Sequence, residues 1–118
     1  MEEVKRIYEI NEIKEEDETA AKKTVFYSTD STSTVVWVVK PGQTVQKHFH
    51  TTSDDVWVVL QGEGIYYPSA DEEIPVHKGQ VLLAPKGECH GLKNTGEEDF
   101  VFIGVIAPVP SDFNPINE

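Results

Sequence analysis

The sequence predicts an all-β domain, either a sandwich or a barrel, on three observations. Short runs rich in β-branched and aromatic residues recur from residue 24 onwards. Segments containing glycine or proline separate these runs at short intervals. No stretch after residue 20 repeats apolar residues with the helical period over the length of a helix. Many short strands joined by turns are typical of a two-layer or closed β architecture.

Residues 1–20 form an N-terminal arm whose structure the sequence leaves open. Apolar residues recur every three positions from Val4 to Ile13, which favours a short helix. Residues 8–10 fit an edge strand equally well. The acidic run at 15–18 predicts a solvated loop.

The strands predicted after the arm follow one another without a linker, so residues 1–118 are expected to form a single domain. Two of the runs, 35–39 and 56–60, are continuously apolar, which predicts strands covered on both faces. The tail, 108–118, contains three prolines and is expected to run extended over the surface or to be partly disordered. The predicted strands are 24–28, 34–40, 44–50, 55–61, 64–67, 74–77, 80–84, 87–93 and 100–107.

Length and charge indicate the class of protein and exclude some classes of partner. A chain of 118 residues is long enough for one core, and 38% apolar with 26% charged residues is typical of a globular domain. The net charge of -11 argues against a nucleic-acid partner, since phosphate binding requires a basic surface. The same negative field would repel anionic lipid, so no membrane partner is expected.

Cysteine usage and hydropathy indicate a compartment. The single cysteine, Cys89, excludes an intramolecular disulfide and a zinc–thiolate cluster, and we expect it to be a small buried apolar residue. No apolar stretch approaches the roughly 20 residues of a membrane span. The N-terminus lacks the apolar segment of a signal peptide. A cytoplasmic location is therefore expected.

The segment 42–62 carries the strongest chemical signal. If it is a strand, His48 and His50 point to one face with their backbones about 6.6 Å apart. Two imidazoles at that separation can converge on one ion, each nitrogen about 2.0–2.1 Å from it. Asp54 and Asp55 follow at the start of the next strand and offer a carboxylate. The pattern predicts a metal site.

Two motifs in this region resemble those of the cupins. The first, at 42–62, reads Gly-x5-His-x-His-x4-Asp-x6-Gly, and the family most often has glutamate where this chain has aspartate. The second, at 79–94, matches the family pattern Gly-x5-Pro-x-Gly-x2-His-x3-Asn at every fixed position. The fixed residues are Gly42, His48, His50, Asp55 and Gly62, then Gly79, Pro85, Gly87, His90 and Asn94.

The resemblance implies a double-stranded β-helix, or jelly-roll barrel, that holds one divalent metal ion. The family's ligands correspond to His48, His50, Asp55 and His90. Such a donor set suits Fe, Mn, Ni, Cu or Zn. Aspartate is one methylene shorter than the usual glutamate, so Asp55 either binds directly, binds through water, or leaves three histidines as the whole protein shell. Asp54, at the loop junction, is an alternative carboxylate.

The resemblance leaves the reaction open. The preferred hypothesis is a mononuclear metal-dependent enzyme of dioxygenase, isomerase, decarboxylase or lyase type that acts on a small polar substrate. The alternative is a non-catalytic module that binds a small molecule or the metal. No catalytic residue beyond the ligands and no organic cofactor are indicated. A homodimer is expected, with residues 1–30 as the exchanged or paired strands.

Two further residues have ordinary structural interpretations beside functional ones. His77 matches no motif and precedes a turn, which predicts a solvent-exposed side chain. Trp57 lies on the same strand face as Asp55 and either lines the metal pocket or fills the core. The sequence does not decide between these two roles of Trp57.

Overall fold

The computed structural model describes residues 4–116, which form a one-turn helix and two antiparallel sheets of five strands each. One sheet has the order β1-β2-β9-β4-β7 and is called sheet A; the other has the order β10-β3-β8-β5-β6 and is called sheet B. The elements are α1 (Ile10–Ile13), β1 (Lys22–Ser28), β2 (Ser33–Val39), β3 (Thr44–Phe49), β4 (Asp54–Gln61), β5 (Glu63–Ser69), β6 (Glu72–His77), β7 (Val81–Ala84), β8 (His90–Asn94), β9 (Phe100–Ala107) and β10 (Asn114–Pro115).

The core lies between the two sheets, because alternate side chains of each strand face inward. Phe100 and Phe102 on β9 and Leu92 on β8 are fully buried there. Trp57 on β4 packs against Phe102 with ring centroids 4.4 Å apart. The all-β, two-sheet architecture predicted from the strand pattern is confirmed, and its closed form is a double-stranded β-helix.

The N-terminal arm contains a helix rather than an edge strand at its apolar positions. Ile10 and Ile13 pack against Val36, Val38 and Val101 on the outer face of sheet A. This contact explains the continuous apolar run of β2, whose two faces are both covered, one by the core and one by the arm. No helix among residues 4–116 is long and apolar enough to span a membrane.

The same prediction for β4 holds only at the end of the strand, where Leu60 packs against Val36, Val38 and Val101. Burial alternates along this strand: Trp57 and Val59 are buried, whereas Val58 between them is 36% exposed. The residues of the arm that pack on sheet A lie against β2 and β9, so the outer face of β4 beside the edge strand β7 keeps its valines in contact with solvent.

Most of the tail is exposed, and its end forms a short strand that the sequence did not predict. Its last strand, β10, pairs antiparallel with β3, with Asn114 opposite Phe49 and Pro115 opposite His48. The main-chain N–H of Ile116 donates to the carbonyl of Lys47. The tail is therefore part of sheet B. Residues 117–118 of the predicted tail and 1–3 of the predicted arm lie outside the described residues.

Candidate metal centre

The four predicted ligand side chains come from three strands and one loop position. His48 lies on β3, His50 follows immediately after it, and His90 begins β8. His48 and His90 are direct register partners across the β3–β8 ladder. Asp55 lies on β4 of the opposite sheet. The two sheets thus meet at this cluster, with the imidazoles on sheet B and the carboxylate on sheet A.

The histidines converge as their spacing predicted. One nitrogen from each of His48, His50 and His90 lies within 4.8 Å of the others, and all three side chains are buried. The Oδ2 atom of Asp55 lies 3.2 Å from Nε2 of His90 and 3.6 Å from Nε2 of His50. These three buried histidines could hold a metal ion, and the Asp55 carboxylate faces the same point.

Hydrogen bonds at Nδ1 orient two of the rings. The Nδ1 of His48 donates to the carbonyl of Gln46 at 2.6 Å, and that of His50 donates to the carbonyl of Asp112 at 2.5 Å. A carbonyl only accepts, so each neutral ring carries its proton on Nδ1 and presents an unprotonated Nε2 to the cluster. Neither nitrogen of His90 has a hydrogen-bond partner within the described part of the chain, although the side chain is 1% exposed.

The second motif also holds the first one in place. The main-chain N–H of Gly87 donates to the carbonyl of His50 at 2.7 Å. Gly87 has a φ of 81°, a left-handed conformation that favours glycine. Asn94, buried at the end of β8, donates its side-chain amide to the carbonyls of Val39 and Glu98. Gly87 and Asn94, two motif residues outside the ligand set, thus have structural roles.

Asp55 and the histidines of the cluster shift one another's pKa values. Burial opposes ionisation of Asp55, but the adjacent His50 and His90 outweigh burial and hold its pKa below the usual value. The carboxylate of Asp55 raises the pKa of His50 against the effect of burial. Burial and the neighbouring His90 lower the pKa of His48 to about 4. At neutral pH the site combines an ionised carboxylate with a neutral His48.

The other residues considered in the sequence differ in their position relative to the histidines. Asp54 is exposed and its carboxylate accepts from the main-chain N–H of Lys86, so the geometry brings Asp55 and not Asp54 to the histidines. His77 is exposed, as predicted. Cys89 is buried, also as predicted, and its thiol donates to the carbonyl of Tyr67, away from the cluster. Trp57 has both of its proposed roles, since it is 3% exposed in the core and lines the cavity beside His90.

A cavity of about 750 Å³ opens from the cluster between the two sheets. This volume lies within the range of small-molecule sites. His48, His50 and Asp55 form its polar floor. The wall combines apolar side chains with serines, threonines and Gln46, and its charged side chains apart from Asp55 come from the edge strand β1 and the loop after it. The apolar wall includes Val35, Trp37, Val45, Trp57, Ile106, Val109, Pro110 and Phe113, and the outer charged residues are Lys23 and Asp30.

The tail contributes residues to the site that sequence reasoning did not identify. The ring of Phe113 stacks on that of His48 with centroids 4.7 Å apart. The Asp112 carboxylate accepts from the main-chain N–H of Thr51 at 2.8 Å and from its hydroxyl at 2.6 Å. Asp112 and Phe113 match no motif and belong to a segment without apolar periodicity. Only their pairing with β3 and the loop after it brings them to the histidines.

Comparison with known proteins places this geometry in a family. A family model for the cupin domain matches residues 35–106. In structure, the chain is similar to a conserved protein with a double-stranded β-helix domain from Klebsiella pneumoniae, with a TM-score of 0.92 and 29% identity over 98% of this chain and 100% of that one.

The sequences of curated relatives match this chain over shorter stretches. The chain is 33% identical over 66 residues to an oxalate-binding protein of Thermotoga maritima, covering 56% of this chain and 54% of that protein. It is 32% identical over 66 residues to a gentisate 1,2-dioxygenase of a Ralstonia species, covering 56% of this chain and 18% of that enzyme. The chain thus spans about half the length of the first relative and less of the second. The motifs, the double-stranded β-helix and the family match together identify the chain as a member of the cupin domain family.

Proposed function

We propose that the chain binds one divalent transition metal ion, from the set Fe, Mn, Ni, Cu and Zn, through His48, His50, His90 and Asp55. The observation that carries this proposal is Nε2 of His90, which is buried and makes no hydrogen bond of normal geometry among residues 4–116, although Oδ2 of Asp55 lies 3.2 Å away. A buried polar atom without a partner costs about 1–3 kcal/mol. A metal ion would satisfy it.

The separations support a shared ion. Two donor atoms that are each about 2.1 Å from one ion lie roughly 3.0–3.5 Å apart at tetrahedral or octahedral angles. The contacts of Asp55 Oδ2 with His90 and His50, at 3.2 and 3.6 Å, are close to that range. We therefore favour direct ligation by Asp55 over ligation through water or a site of three histidines alone.

We infer that the metal serves a mononuclear enzyme of dioxygenase, isomerase, decarboxylase or lyase type. A metal bound by such ligands supplies Lewis acidity toward an oxygen-bearing substrate, and a redox-active one also supplies electron-transfer chemistry. The protein's own contribution is positional: Gln46 and Asp112 orient two imidazoles, while Trp57 and Phe113 limit access of water to the cluster. Dioxygenase chemistry in the Ralstonia relative favours the enzymatic function.

Non-catalytic binding of a small molecule is the second candidate, and the oxalate-binding relative favours it.

Under either function, the residues of the cavity walls indicate which chemical class of ligand fits. A small polar molecule would leave Val35, Trp37 and Ile106 without apolar contacts. We propose a ligand with oxygen donors at one end and a flat apolar body, since such a body can cover these walls.

The ligand set is tested by metal content. Protein purified without added metal, or metal-free protein reloaded with Zn²⁺, should contain about one ion per chain. The double variant His48→Ala/His50→Ala should contain less than about a tenth of that, because it lacks two of four donors. His77→Ala is the matched control, since His77 is exposed and outside the site, and should equal the parent protein. Absence of uptake in the parent chain would refute the metal site.

The ligand class is tested with two probes, oxalate and 2,5-dihydroxybenzoate, titrated into zinc-loaded protein and followed by tryptophan fluorescence. We expect the aromatic acid to bind about tenfold more tightly, because contact with the walls removes apolar area of its ring from water. The double histidine variant, loaded under the same conditions, should bind neither probe well. Equal or tighter binding of oxalate would contradict a flat apolar body.

Catalysis is separated from binding by loading the protein with iron and measuring oxygen uptake with the same probes and related hydroxy acids. Turnover in the parent protein and in His77→Ala, lost in the double histidine variant, supports an enzyme. Tight binding of a ligand without turnover under any loaded metal supports the binding module instead. Turnover that survives the loss of both histidines would exclude a metal mechanism.

Metal affinity should fall as the pH falls, beginning above pH 6.5. The raised pKa of His50 means that, in the metal-free protein, a proton competes for this imidazole already above the ordinary value of 6.5. The lowered pKa of His48, about 4, delays competition there until strongly acid pH. Zn²⁺ titrations from pH 8 to pH 5 should show affinity falling by about tenfold per unit below the pKa of His50.

Asp55→Asn provides the control for this pH dependence, because it removes the charge that raises the pKa of His50. This variant should bind Zn²⁺ more weakly at pH 8, and its loss of affinity should begin at a lower pH than in the parent chain. A pH profile that is flat from 8 to 5, or identical in both proteins, would contradict the assigned role of Asp55.

We also propose a homodimer formed through residues 1–30. Strand β1 is an edge strand of sheet A, and its Val25 and Tyr27 are 52% and 41% exposed. Exposed edges with apolar side chains favour pairing with another chain. Light scattering should give twice the chain mass, and Val25→Lys/Tyr27→Lys should give the monomer. Leu83→Lys, at the exposed opposite edge of the same sheet, should remain a dimer.

The cytoplasmic location stays a prediction from the sequence.

A further inference from the structure

The segment 108–116, here called the strap, contributes Val109, Pro110, Ser111 and Phe113 to the lining of the cavity. At its start, the hydroxyl of Ser53 donates to the carbonyl of Pro108 at 2.6 Å. At its end, the main-chain N–H of Ile116 donates to the carbonyl of Lys47, which precedes His48 on β3. Between these anchors the strap has no apolar core of its own. Its conformation therefore depends on hydrogen bonds to other segments, namely those that carry His48, His50 and Asp55 and the β1–β2 loop, where the main-chain N–H of Val109 donates to the carbonyl of Ser31.

Asp112 is the residue of the strap with the most contacts to the site. Its carbonyl accepts the Nδ1 proton of His50. Its carboxylate accepts two hydrogen bonds from Thr51, at 2.8 and 2.6 Å, and one from the side-chain amide of Asn114 at 3.0 Å. Thr51 is the residue that follows His50. The carboxylate thus ties the strap to the chain next to His50, and this places the Asp112 carbonyl against the imidazole.

We propose that Asp112 is a positioning residue for the metal centre, whose carboxylate clamps Thr51 so that its own carbonyl fixes the tautomer and orientation of His50. The proposal rests on the proposed metal site, because His50 must present an unprotonated Nε2 to the ion. Phe113, the next residue, stacks on His48 while 57% exposed, so the strap also contacts a second ring of the cluster.

The arrangement predicts that removal of the Asp112 carboxylate lowers the affinity for the metal ion. Hydrogen-bond partners at the outer nitrogen of a ligand histidine contribute about 10–100-fold to metal affinity. Asp112→Ala keeps the main-chain carbonyl but removes the carboxylate that holds it in place. Asp112→Asn keeps one oxygen that can accept from the Thr51 N–H, together with its side-chain length. The alanine variant should therefore lose affinity and the asparagine variant should recover most of it.

The first measurement is Zn²⁺ affinity of metal-free protein by competition with a chromophoric chelator. We expect Asp112→Ala to bind about 10–100-fold more weakly than the parent chain and Asp112→Asn to fall within about threefold of it. Asp71→Ala is the matched control, since Asp71 is an exposed aspartate in the β5–β6 turn, and should equal the parent chain. Affinity of Asp112→Ala within about twofold of the parent chain would overturn the proposal.

The second measurement separates positioning from general loss of structure. Imidazole nitrogen NMR of the metal-free protein at pH 8 should show hydrogen-bonded Nδ1 protons for both His48 and His50. In Asp112→Ala the His50 signal should be lost by exchange with solvent, whereas the His48 proton, which is bonded to Gln46, should persist. Persistence of both signals would refute positioning of His50, and loss of both would show that the variant disrupts the site as a whole and would count against a specific role.

The two measurements also distinguish this proposal from the metal proposal. If the parent chain takes up no Zn²⁺, the proposed metal function fails, yet the Nδ1 signals of the metal-free protein still decide whether Asp112 orients His50. If the parent chain binds Zn²⁺ and Asp112→Ala binds it equally well, the metal function stands and only the role of Asp112 is rejected.

Discussion

The structure depends on one buried electrostatic arrangement, in which the Asp55 carboxylate faces imidazoles that the opposite sheet supplies. A buried carboxylate is strongly unfavourable unless it is paired. Here His90 and His50, at 3.2 and 3.6 Å, offset its desolvation and keep its pKa low. The contacts also link sheet A to sheet B at the inner end of the cavity. The cluster is therefore both a candidate metal centre and a polar connection between the two halves of the fold.

Aromatic packing and hydrogen bonds hold the residues of this cluster in place. Trp57 and Phe102 form an aromatic layer beside His90, with ring centroids of Trp57 4.4 Å from Phe102 and 5.3 Å from His90. Gly87 holds the main chain of His50, and the strap holds its ring. Side chains fixed in this way retain their orientation when a ligand enters, which is the condition for a preorganised site. On the side of β1, polar and charged residues line the cavity in place of the aromatic layer.

Membership of the cupin family and the three-histidine cluster limit the function without selecting a reaction. The fold carries many chemistries, so the activity has to be argued from the walls and floor of this particular cavity. Its floor is polar and its walls combine apolar with polar side chains, a combination that suits a ligand with distinct oxygen-bearing and apolar ends. The small polar substrate expected from the resemblance stays a prediction.

The sequence by itself determined the elements whose signals are local. Strand period, turn glycines and the spacing of His48 and His50 depend on residues close together in the chain, and they predicted the all-β fold, the two motifs and the histidine cluster. Tertiary structure alone decided whatever depends on contacts across the fold. It covered the outer face of β2 but left Val58 on that of β4 in contact with solvent, and it docked Asp112 onto His50, sixty-two residues away. A tail with three prolines carries no periodic signal, because hydrogen bonds to distant segments and not an apolar face hold it in place.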